Sequence, residues 1–175
     1  GWLIGVELVE CLDFHGVDVT FLVREPFFWP VGLHEREGDI ITEHIRSHGI
    51  DIRHEEELAE IIPASEGGRV EAVESSTGER YPCQMLGIAI GVAPNIDGVN
   101  TPPETDRGIF VDRSFETSLD NVWAAGDCTE IQMGDGERRL ETIWYSAKRE
   151  GRLAGMSMLG DEVDYEPPTF YNSAK

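Results

Sequence analysis

Residues 117–128 read Thr-Ser-Leu-Asp-Asn-Val-Trp-Ala-Ala-Gly-Asp-Cys, and this stretch decides how the chain is expected to fold. Its composition predicts a turn, then a short buried strand over 122–125, then a Gly-Asp step at the carboxyl end of that strand. Ligands of open α/β sheets bind at this edge. Gly126 has no side chain, so a ligand can approach the backbone, and the Asp127 carboxylate can accept a hydrogen bond from a ligand hydroxyl. The alternative is an ordinary strand that ends in a Gly-Asp turn.

The rest of the chain alternates between helical and strand patterns, as expected of an α/β fold. Apolar residues at helical spacing predict helices at 6–14, 35–48 and 141–159. Runs of β-branched and apolar residues predict strands at 17–23, 50–52, 85–95 and 108–112. The turn composition of 75–78 predicts a hairpin between strands at 70–74 and 79–83. Glycine and acidic residues predict a loop over 129–139, and a Pro-Pro pair indicates a domain boundary within 95–107. Ala147, Gly151 and Gly155 give the last predicted helix a small-residue face for close packing.

The charge of the chain limits its partners. Acidic residues outnumber basic ones by 34 to 14, which gives a formal net charge of −20. Such a surface repels phosphate, so neither nucleic acid nor an anionic membrane is expected as a partner. Lysine occurs only at 148 and 175, so twelve of the 14 basic residues are arginine. This composition resembles that of halophilic proteins, which are adapted to high salt; an acidic protein of the ordinary cytoplasm is the alternative.

The cysteines and the apolar runs indicate a cytoplasmic protein. No apolar run approaches the ~18 residues that a membrane-spanning helix needs. Cys11, Cys83 and Cys128 are isolated and odd in number, which predicts neither a disulfide framework nor a zinc site. His44 and His48 stand four apart on a predicted helix. No third ligand follows at a suitable spacing, so no metal site is predicted.

Four stretches resemble motifs of the pyridine nucleotide–disulfide oxidoreductase superfamily. Residues 117–128 are similar to its second flavin-binding motif, T-S-x-x-x-V-x-A-x-G-D. Residues 89–95 resemble the family's A-x-G-x-x-P-N, and 147–154 carry the A-x-x-x-G-R-x-A of its last FAD-domain helix. The opening residues 1–7 resemble G-G-G-x-I-G-x-E, with Trp2 at the position of the middle glycine.

The resemblance implies an α/β fold in which a Rossmann-like, three-layer NAD(P)-binding domain precedes the second half of a similar FAD-binding domain. Both are expected to be built on parallel sheets. The NAD(P)-binding domain is expected over 1–99 and is truncated at its amino end. The C-terminal part of the FAD-binding domain is expected over 100–164. Residues 165–175 are expected to form a linker to an interface domain that this chain lacks.

The function implied by the resemblance is that of an FAD-dependent oxidoreductase, which passes hydride from NAD(P)H to FAD and on to an acceptor. The acceptor class stays open among a disulfide, a ferredoxin- or rubredoxin-type protein and oxygen, and no catalytic residue is assigned. A nicotinamide dinucleotide is the implied partner, together with a homodimer through the interface domain. The alternative class is a non-catalytic dinucleotide-binding or redox-sensing module, which Trp2 favours and the Gly126-Asp127 step disfavours.

The resemblance assigns cofactor contacts to Gly5, Glu7, Val23, Arg24, Gly91, Gly126, Asp127, Ile143 and Trp144. In the family, the glycine and aspartate that match Gly126 and Asp127 hold FAD, and the aspartate binds a ribitol hydroxyl. Ile143 and Trp144 match the start of a helix whose amino end faces the flavin pyrimidine, where it favours negative charge. Gly91 permits a tight crossing near the cofactor.

The remaining matches concern the nicotinamide dinucleotide. Gly5 matches the last glycine of the pyrophosphate turn, and Glu7 matches a glutamate close to the nicotinamide. Val23 stands where NAD-specific members place an acidic residue for the ribose 2′-hydroxyl. Arg24 resembles the arginine that NADPH-dependent members use for the 2′-phosphate, to which its planar fork is suited. NADPH is therefore favoured over NADH; the alternative is a surface Arg24 that pairs with Glu25.

Overall fold

The computed structural model describes residues 2–98, 103–134 and 136–168, without the side chain of Trp2. The chain divides into two compact units, one up to Gly91 and one from Val92 onward. In chain order the elements are α1 (Trp2–Phe14), β1 (Thr20–Val23), α2 (Glu35–Ser47), β2 (Asp51–His54), β3 (Leu58–Pro63), β4 (Val70–Ser75), β5 (Arg80–Pro82), β6 (Ile109–Val111), β7 (Thr129–Gln132), β8 (Arg138–Leu140) and α3 (Trp144–Met158).

The first unit begins with two helix–strand pairs around one apolar core. α1 and α2 end just before Gly16 and Gly49, whose φ angles of +72° and +86° turn the chain out of each helix. β1 and β2 pair in parallel, with Phe21 opposite Ile52. The buried residues of this core are Val9, Val23, Phe28, Ile45, Ile50 and Ile52. The helix–strand alternation predicted for this segment is therefore present, and it places Val23 at the carboxyl end of β1.

An antiparallel sheet follows, with β4 between β3 and β5. The predicted hairpin is confirmed and turns at Gly78, whose φ is +83°. β3 is not predicted from the sequence, because it shows no apolar alternation and only Ile62 is part-buried. The Tyr81 hydroxyl donates to Glu56 Oε2 at 2.8 Å and so ties β5 to the segment before β3. Burial and this carboxylate raise the pKa of Tyr81 to about 12.

The second unit is a small mixed sheet covered by α3. β6 and β7 are parallel, whereas β7 and β8 are antiparallel. Its buried core contains Ile109, Val111, Phe115, Ile131, Ala154 and Tyr165. The expectation that both domains are built on parallel sheets is therefore wrong for the described residues, since each unit combines one parallel pair with antiparallel strands.

The predicted loop over 129–139 is wrong, because β7 and β8 occupy most of it. Its glycine and acidic composition describes only the turn between these two strands. β7 is the central strand of its sheet, and Thr129, Glu130 and Ile131 are each at most 1% exposed. A central strand covered on both faces lacks the polar–apolar alternation that marks an exposed one, and the glutamate in its middle hides it further.

Two predicted strands are absent from the structure. At 122–125 a single isolated bridge joins Trp123 to Glu116, and Val122 is 39% exposed. Residues 85–95 form no ladder with any described residue, and Ile90 is 88% exposed. A buried strand needs neighbours that satisfy its N–H and C=O groups. The described residues supply one bridge in the first case and no neighbouring strand in the second.

Two further features concern the helices and the chain end. Across the described ranges, the longest helix is α3 with 15 residues, and no helix is both long and apolar enough to cross a membrane. Tyr165, the first residue of the predicted linker, is fully buried in the second core. Most of that linker, 169–175, lies outside the described residues, as does 99–102 around the predicted domain boundary.

Candidate functional site

Gly126 forms a buried turn between the 117–125 segment and β7. Its φ is +85°, a left-handed conformation that favours glycine. Its carbonyl oxygen accepts both the Thr129 backbone N–H at 2.9 Å and the Thr129 hydroxyl at 2.8 Å. A Cβ added at Gly126 would lie 3.4 Å from the Ala147 Cβ of α3. The turn is therefore held closely against the first turn of this helix.

Asp127 follows this turn and is exposed. Within the described part of the chain, its carboxylate makes no hydrogen bond or ion pair. Both oxygens therefore remain available as acceptors for a ligand hydroxyl. The structure thus fixes the backbone immediately before Asp127 and leaves the Asp127 side chain unengaged.

Glu150 holds the other side of the turn, and none of the motifs in the sequence marks it as a site residue. It lies in α3 with 0% exposure, and its Oε2 accepts the Gly126 backbone N–H at 2.8 Å. The Thr129 hydroxyl lies 3.4 Å from the same oxygen. Oε1 is buried as well and has no hydrogen-bond partner among the described residues. Burial raises the pKa of Glu150, because water no longer stabilises its charged form.

The face of α3 that meets the core differs from the one predicted. Ser146, Glu150, Ala154 and Ser157 are buried, whereas Gly151 is exposed. Apart from α3 itself, no described residue has an atom within 4 Å of where a Cβ at Gly151 or Gly155 would stand. The predicted small-residue packing face is therefore wrong for these two glycines, although Ala147 does contact the Gly126 turn. The sequence signal for the buried face is the spacing of Ser146, Glu150 and Ala154, which are four residues apart and share one helix face.

The amino end of α3 lacks a side-chain cap. Ile143 is the N-cap residue with extended backbone (φ −129°, ψ 130°), and its side chain can accept no hydrogen bond. Trp144 starts the helix and is 66% exposed. The first N–H groups of a helix have no partner within it and carry a partial positive charge. This end can therefore receive an anionic or carbonyl oxygen.

In the first unit, Gly5 and Glu7 both lie on α1. A Cβ at Gly5 would approach the Phe21 ring to 3.3 Å, so the glycine allows α1 to pack closely on β1. Glu7 is exposed and has no polar contact among the described residues. Gly91 is exposed with a φ of +121° and ends the first unit. The side chain of Trp2, on which the non-catalytic alternative depends, lies outside the described residues.

Val23 and Arg24 have opposite environments. The Val23 side chain is 3% exposed and packs into the first core, so it makes no surface contact itself. The Arg24 side chain is 69% exposed, and its Nε and Nη2 donate to Glu25 Oε1 at 3.1 and 2.9 Å. The pairing that the sequence analysis gives as the alternative for Arg24 is thus present in the structure.

The remaining candidate groups show no ligand-binding geometry. The rings of His44 and His48 stack edge to face at 4.9 Å. No cluster of three His, Cys, Asp or Glu side chains in the described ranges is arranged to hold a metal. Cys128 is part-buried, and its thiol lies 3.5 Å from the Ala125 carbonyl oxygen. Burial raises the pKa of this thiol, which disfavours the reactive thiolate.

Sequence comparison finds relatives along most of the chain. The family described as "Pyridine nucleotide-disulphide oxidoreductase" matches residues 1–151. An NADH oxidase of Methanocaldococcus jannaschii is 30% identical over 168 residues, which cover 94% of this chain and 36% of that protein. An NAD(P)H coenzyme A polysulfide/persulfide reductase of Pyrococcus horikoshii is 31% identical over 172 residues, covering 94% of this chain and 37% of that protein. The chain spans well under half the length of these curated relatives.

Solved structures confirm the α/β fold. A ferredoxin reductase of Rhodopseudomonas palustris superposes with a TM-score of 0.82 at 25% identity, covering 93% of this chain and 40% of that one. An NAD-dependent persulfide reductase of A. fulgidus has the same TM-score at 23% identity, covering 93% of this chain and 30% of that one. The second likeness shows the fold alone. The Rossmann-like α/β class predicted from the sequence is therefore confirmed.

Proposed function

Because this chain belongs to the pyridine nucleotide-disulphide oxidoreductase family, we propose that it is an FAD-dependent oxidoreductase that passes hydride from NAD(P)H to FAD and electrons on to an acceptor. The family uses FAD and NAD(P)H. When bound, these cofactors supply the hydride transfer itself. The chain contributes the groups that bind and orient them.

One observation carries the proposal: the turn at Gly126 is fixed by buried contacts, whereas the Asp127 carboxylate beside it is exposed and unpaired within the described residues. An exposed carboxylate on a mobile loop is ordinary. A carboxylate presented by a buried left-handed turn that packs against the first turn of α3 is suited to a ligand hydroxyl, because the backbone is already ordered before binding. We assign this role to Asp127 toward the ribitol of FAD.

The uncapped start of α3 supports the same assignment. We propose that the N–H groups following Ile143 receive the pyrimidine edge of the flavin, where the reduced ring carries negative charge. The exposed Trp144 at this end is accessible for contact with the flavin ring. Gly91 serves the proposed crossing near the cofactor, since its φ of +121° is accessible chiefly to glycine.

We propose that the first unit binds the nicotinamide dinucleotide. The proposed NAD(P)-binding domain spans 1–99, and the C-terminal part of the FAD-binding domain spans 100–164, followed by a linker over 165–175. Gly5 supports this proposal, because close packing of the first helix on the sheet is one task of the glycines in dinucleotide-binding folds. We assign Glu7 to the nicotinamide end and Arg24 to a 2′-phosphate, which favours NADPH.

The electron acceptor, the oligomeric state and the cellular environment are also proposed, the acceptor only by its class. The relatives are named as an NADH oxidase, a coenzyme A polysulfide/persulfide reductase and a ferredoxin–NAD(+) reductase component, so we propose a small molecule or a redox protein as the acceptor. We further propose a homodimer through an interface domain. The 34 acidic residues against 14 basic ones support a cytoplasm of high salt. The odd number of isolated cysteines supports a reducing environment.

The experiment is flavin retention in Asp127→Ala, made in the protein expressed from its complete gene. Loss of a charge-assisted hydrogen bond is worth about 1.5–3 kcal/mol, so the Kd for FAD should rise roughly 10- to 150-fold. The Kd of Asp127→Asn, which still accepts a hydrogen bond, should lie between those of Asp127→Ala and the unmodified protein. Asp120→Ala, also exposed in the same segment, is the matched control and should retain FAD. Full occupancy by FAD in Asp127→Ala would refute the assignment.

A further inference from the structure

Glu150 is a buried carboxylate to which the cofactor assignments above give no role. It is 0% exposed in the middle of α3, and its Oε1 has no hydrogen-bond partner among the described residues. Burying a carboxylate with an unsatisfied oxygen is unfavourable. An apolar side chain of similar size would avoid that cost. The residue therefore contributes something that an apolar side chain cannot.

The shorter of the two contacts that require a polar side chain at this position is the one to Gly126. Glu150 Oε2 accepts the Gly126 N–H at 2.8 Å, while the Thr129 hydroxyl donates to the Gly126 carbonyl oxygen at 2.8 Å. Both backbone polar groups of Gly126 are thus held by side chains. The same residue has a φ of +85° and is followed directly by Asp127.

We propose that Glu150 is a positioning residue for FAD, which acts by holding the Gly126 N–H and thereby fixing the turn that presents Asp127. The inference rests on the proposed function, since it takes FAD to be the ligand of Asp127. Glu150 itself does not contact the ligand in this scheme. Because the turn is already ordered, it loses less conformational entropy when FAD binds.

A merely structural role for Glu150 makes a different prediction, and Glu130 provides the comparison. Glu130 is also buried, at 1% exposure, in the same unit, and its Oε2 is likewise without a partner in the described residues. Its Oε1 accepts Arg107 Nη2 at 2.6 Å, and neither of its carboxylate oxygens bonds to Gly126 in the part of the chain that the structure describes. If buried carboxylates matter only for folding, the two glutamates should behave alike toward flavin.

The experiment measures the Kd for FAD and the melting temperature of the flavin-free protein, again expressed from its complete gene. Glu150→Leu keeps the size of the side chain and removes the acceptor, so FAD should bind roughly 10- to 100-fold more weakly. Glu150→Gln restores the acceptor and should bind within about 3-fold of the unmodified protein. Glu130→Gln and Glu130→Leu should leave the Kd for FAD unchanged, whatever they do to the melting temperature.

Glu150→Asp covers the case in which Glu150→Leu does not fold. It retains the charge but withdraws the carboxylate from the Gly126 N–H, so it should show the same weakening. If either Glu150→Leu or Glu150→Asp binds FAD with the same Kd as the unmodified protein, the positioning role is overturned and the flavin assignment stays intact. Equal weakening by Glu130→Leu overturns it too. Failure of the unmodified protein to bind FAD refutes the proposed function and this inference together.

Discussion

Arg24 lies at the carboxyl end of β1 with most of its side chain in solvent, and its guanidinium donates twice to one oxygen of Glu25. The Glu25 side chain is 15% exposed, and an ion pair at the surface is worth about 0–1 kcal/mol. A charge-assisted bond to a phosphate is worth about 1.5–3 kcal/mol. If Arg24 binds a 2′-phosphate as proposed, Glu25 should compete for it without outweighing the phosphate. Val23 beside it adds no carboxylate that would repel the phosphate.

The proposal for Arg24 is tested by nucleotide preference. The unmodified protein should use NADPH with a higher kcat/KM than NADH, and Arg24→Ala should lower the NADPH value roughly 10- to 100-fold while leaving the NADH value nearly unchanged. Arg53→Ala is the matched control, because Arg53 is an exposed arginine on the adjacent strand β2 that pairs with Asp51. Equal kcat/KM values for both nucleotides in the unmodified protein would mean that Arg24 is only a surface residue.

At the scale of elements, the segment after α3 behaves as part of the second core despite having no regular secondary structure. Tyr165 is fully buried, and its ring meets Phe115 edge to face at 5.3 Å. Its backbone N–H donates to the Arg113 carbonyl oxygen at 2.9 Å, and Arg113 Nε donates back to the Tyr165 carbonyl oxygen at 3.0 Å. The Tyr165 hydroxyl donates to Glu141 Oε2 at 3.0 Å. This segment therefore anchors the chain on the sheet.

Removing the Tyr165 hydroxyl should weaken this anchor. Tyr165→Phe leaves the buried Glu141 Oε2 without its donor, so the free energy of unfolding of the second unit should fall by about 1–2 kcal/mol in urea titrations. Tyr165→Ala also removes the ring and should cost about 3–5 kcal/mol. Tyr145→Phe is the control, since Tyr145 is 47% exposed and should change stability little. A Tyr165→Phe variant as stable as the unmodified protein would contradict this account of the anchor.

Local signals predicted some elements well and missed others for physical reasons. α1 and α2 carry apolar residues at helical spacing and end at glycines with positive φ, so both are predicted from the sequence. The β4–β5 hairpin is marked by its turn residues. β7 is missed because a strand covered on both faces, with Glu130 in its middle, has no alternation.

Residues of the candidate site could be predicted from the sequence only where they belong to a recognisable motif. Gly126 and Asp127 are visible as a Gly-Asp step after an apolar run. Glu150 is not, because a glutamate in a helix is usually solvated, and its burial depends on the distant segment that folds over it. A sequence places Arg24 next to Glu25 but does not say whether they pair, since side-chain geometry decides that.

The charge of the whole molecule opposes compactness. With 34 acidic and 14 basic residues, most of the surface carboxylates have no basic partner available. Exposed pairs such as Arg46–Glu43 and Arg80–Glu71 stabilise little. Salt weakens these few attractions, but it also screens the far more numerous repulsions among unpaired carboxylates. The repulsive contribution is the larger one, so added salt should stabilise the fold.

The melting temperature should therefore rise between dilute buffer and molar potassium chloride. A gain of ~2 kcal/mol in the free energy of unfolding corresponds to about 4–8 °C for a chain of this size. Sucrose at matched osmolality is the control, because it favours compact states without screening charge. A flat response to potassium chloride would remove the proposal of a high-salt setting and leave the oxidoreductase proposal untouched.

The close contact between Gly126 and Ala147 also limits how this chain can evolve. Any side chain at Gly126 meets both a left-handed backbone and the Ala147 Cβ at 3.4 Å. The left-handed backbone strains every residue other than glycine at Gly126, and a side chain longer than a methyl group would also have to extend past the Ala147 Cβ. A substitution at Gly126 should therefore disturb the first turn of α3 as well as the turn before Asp127.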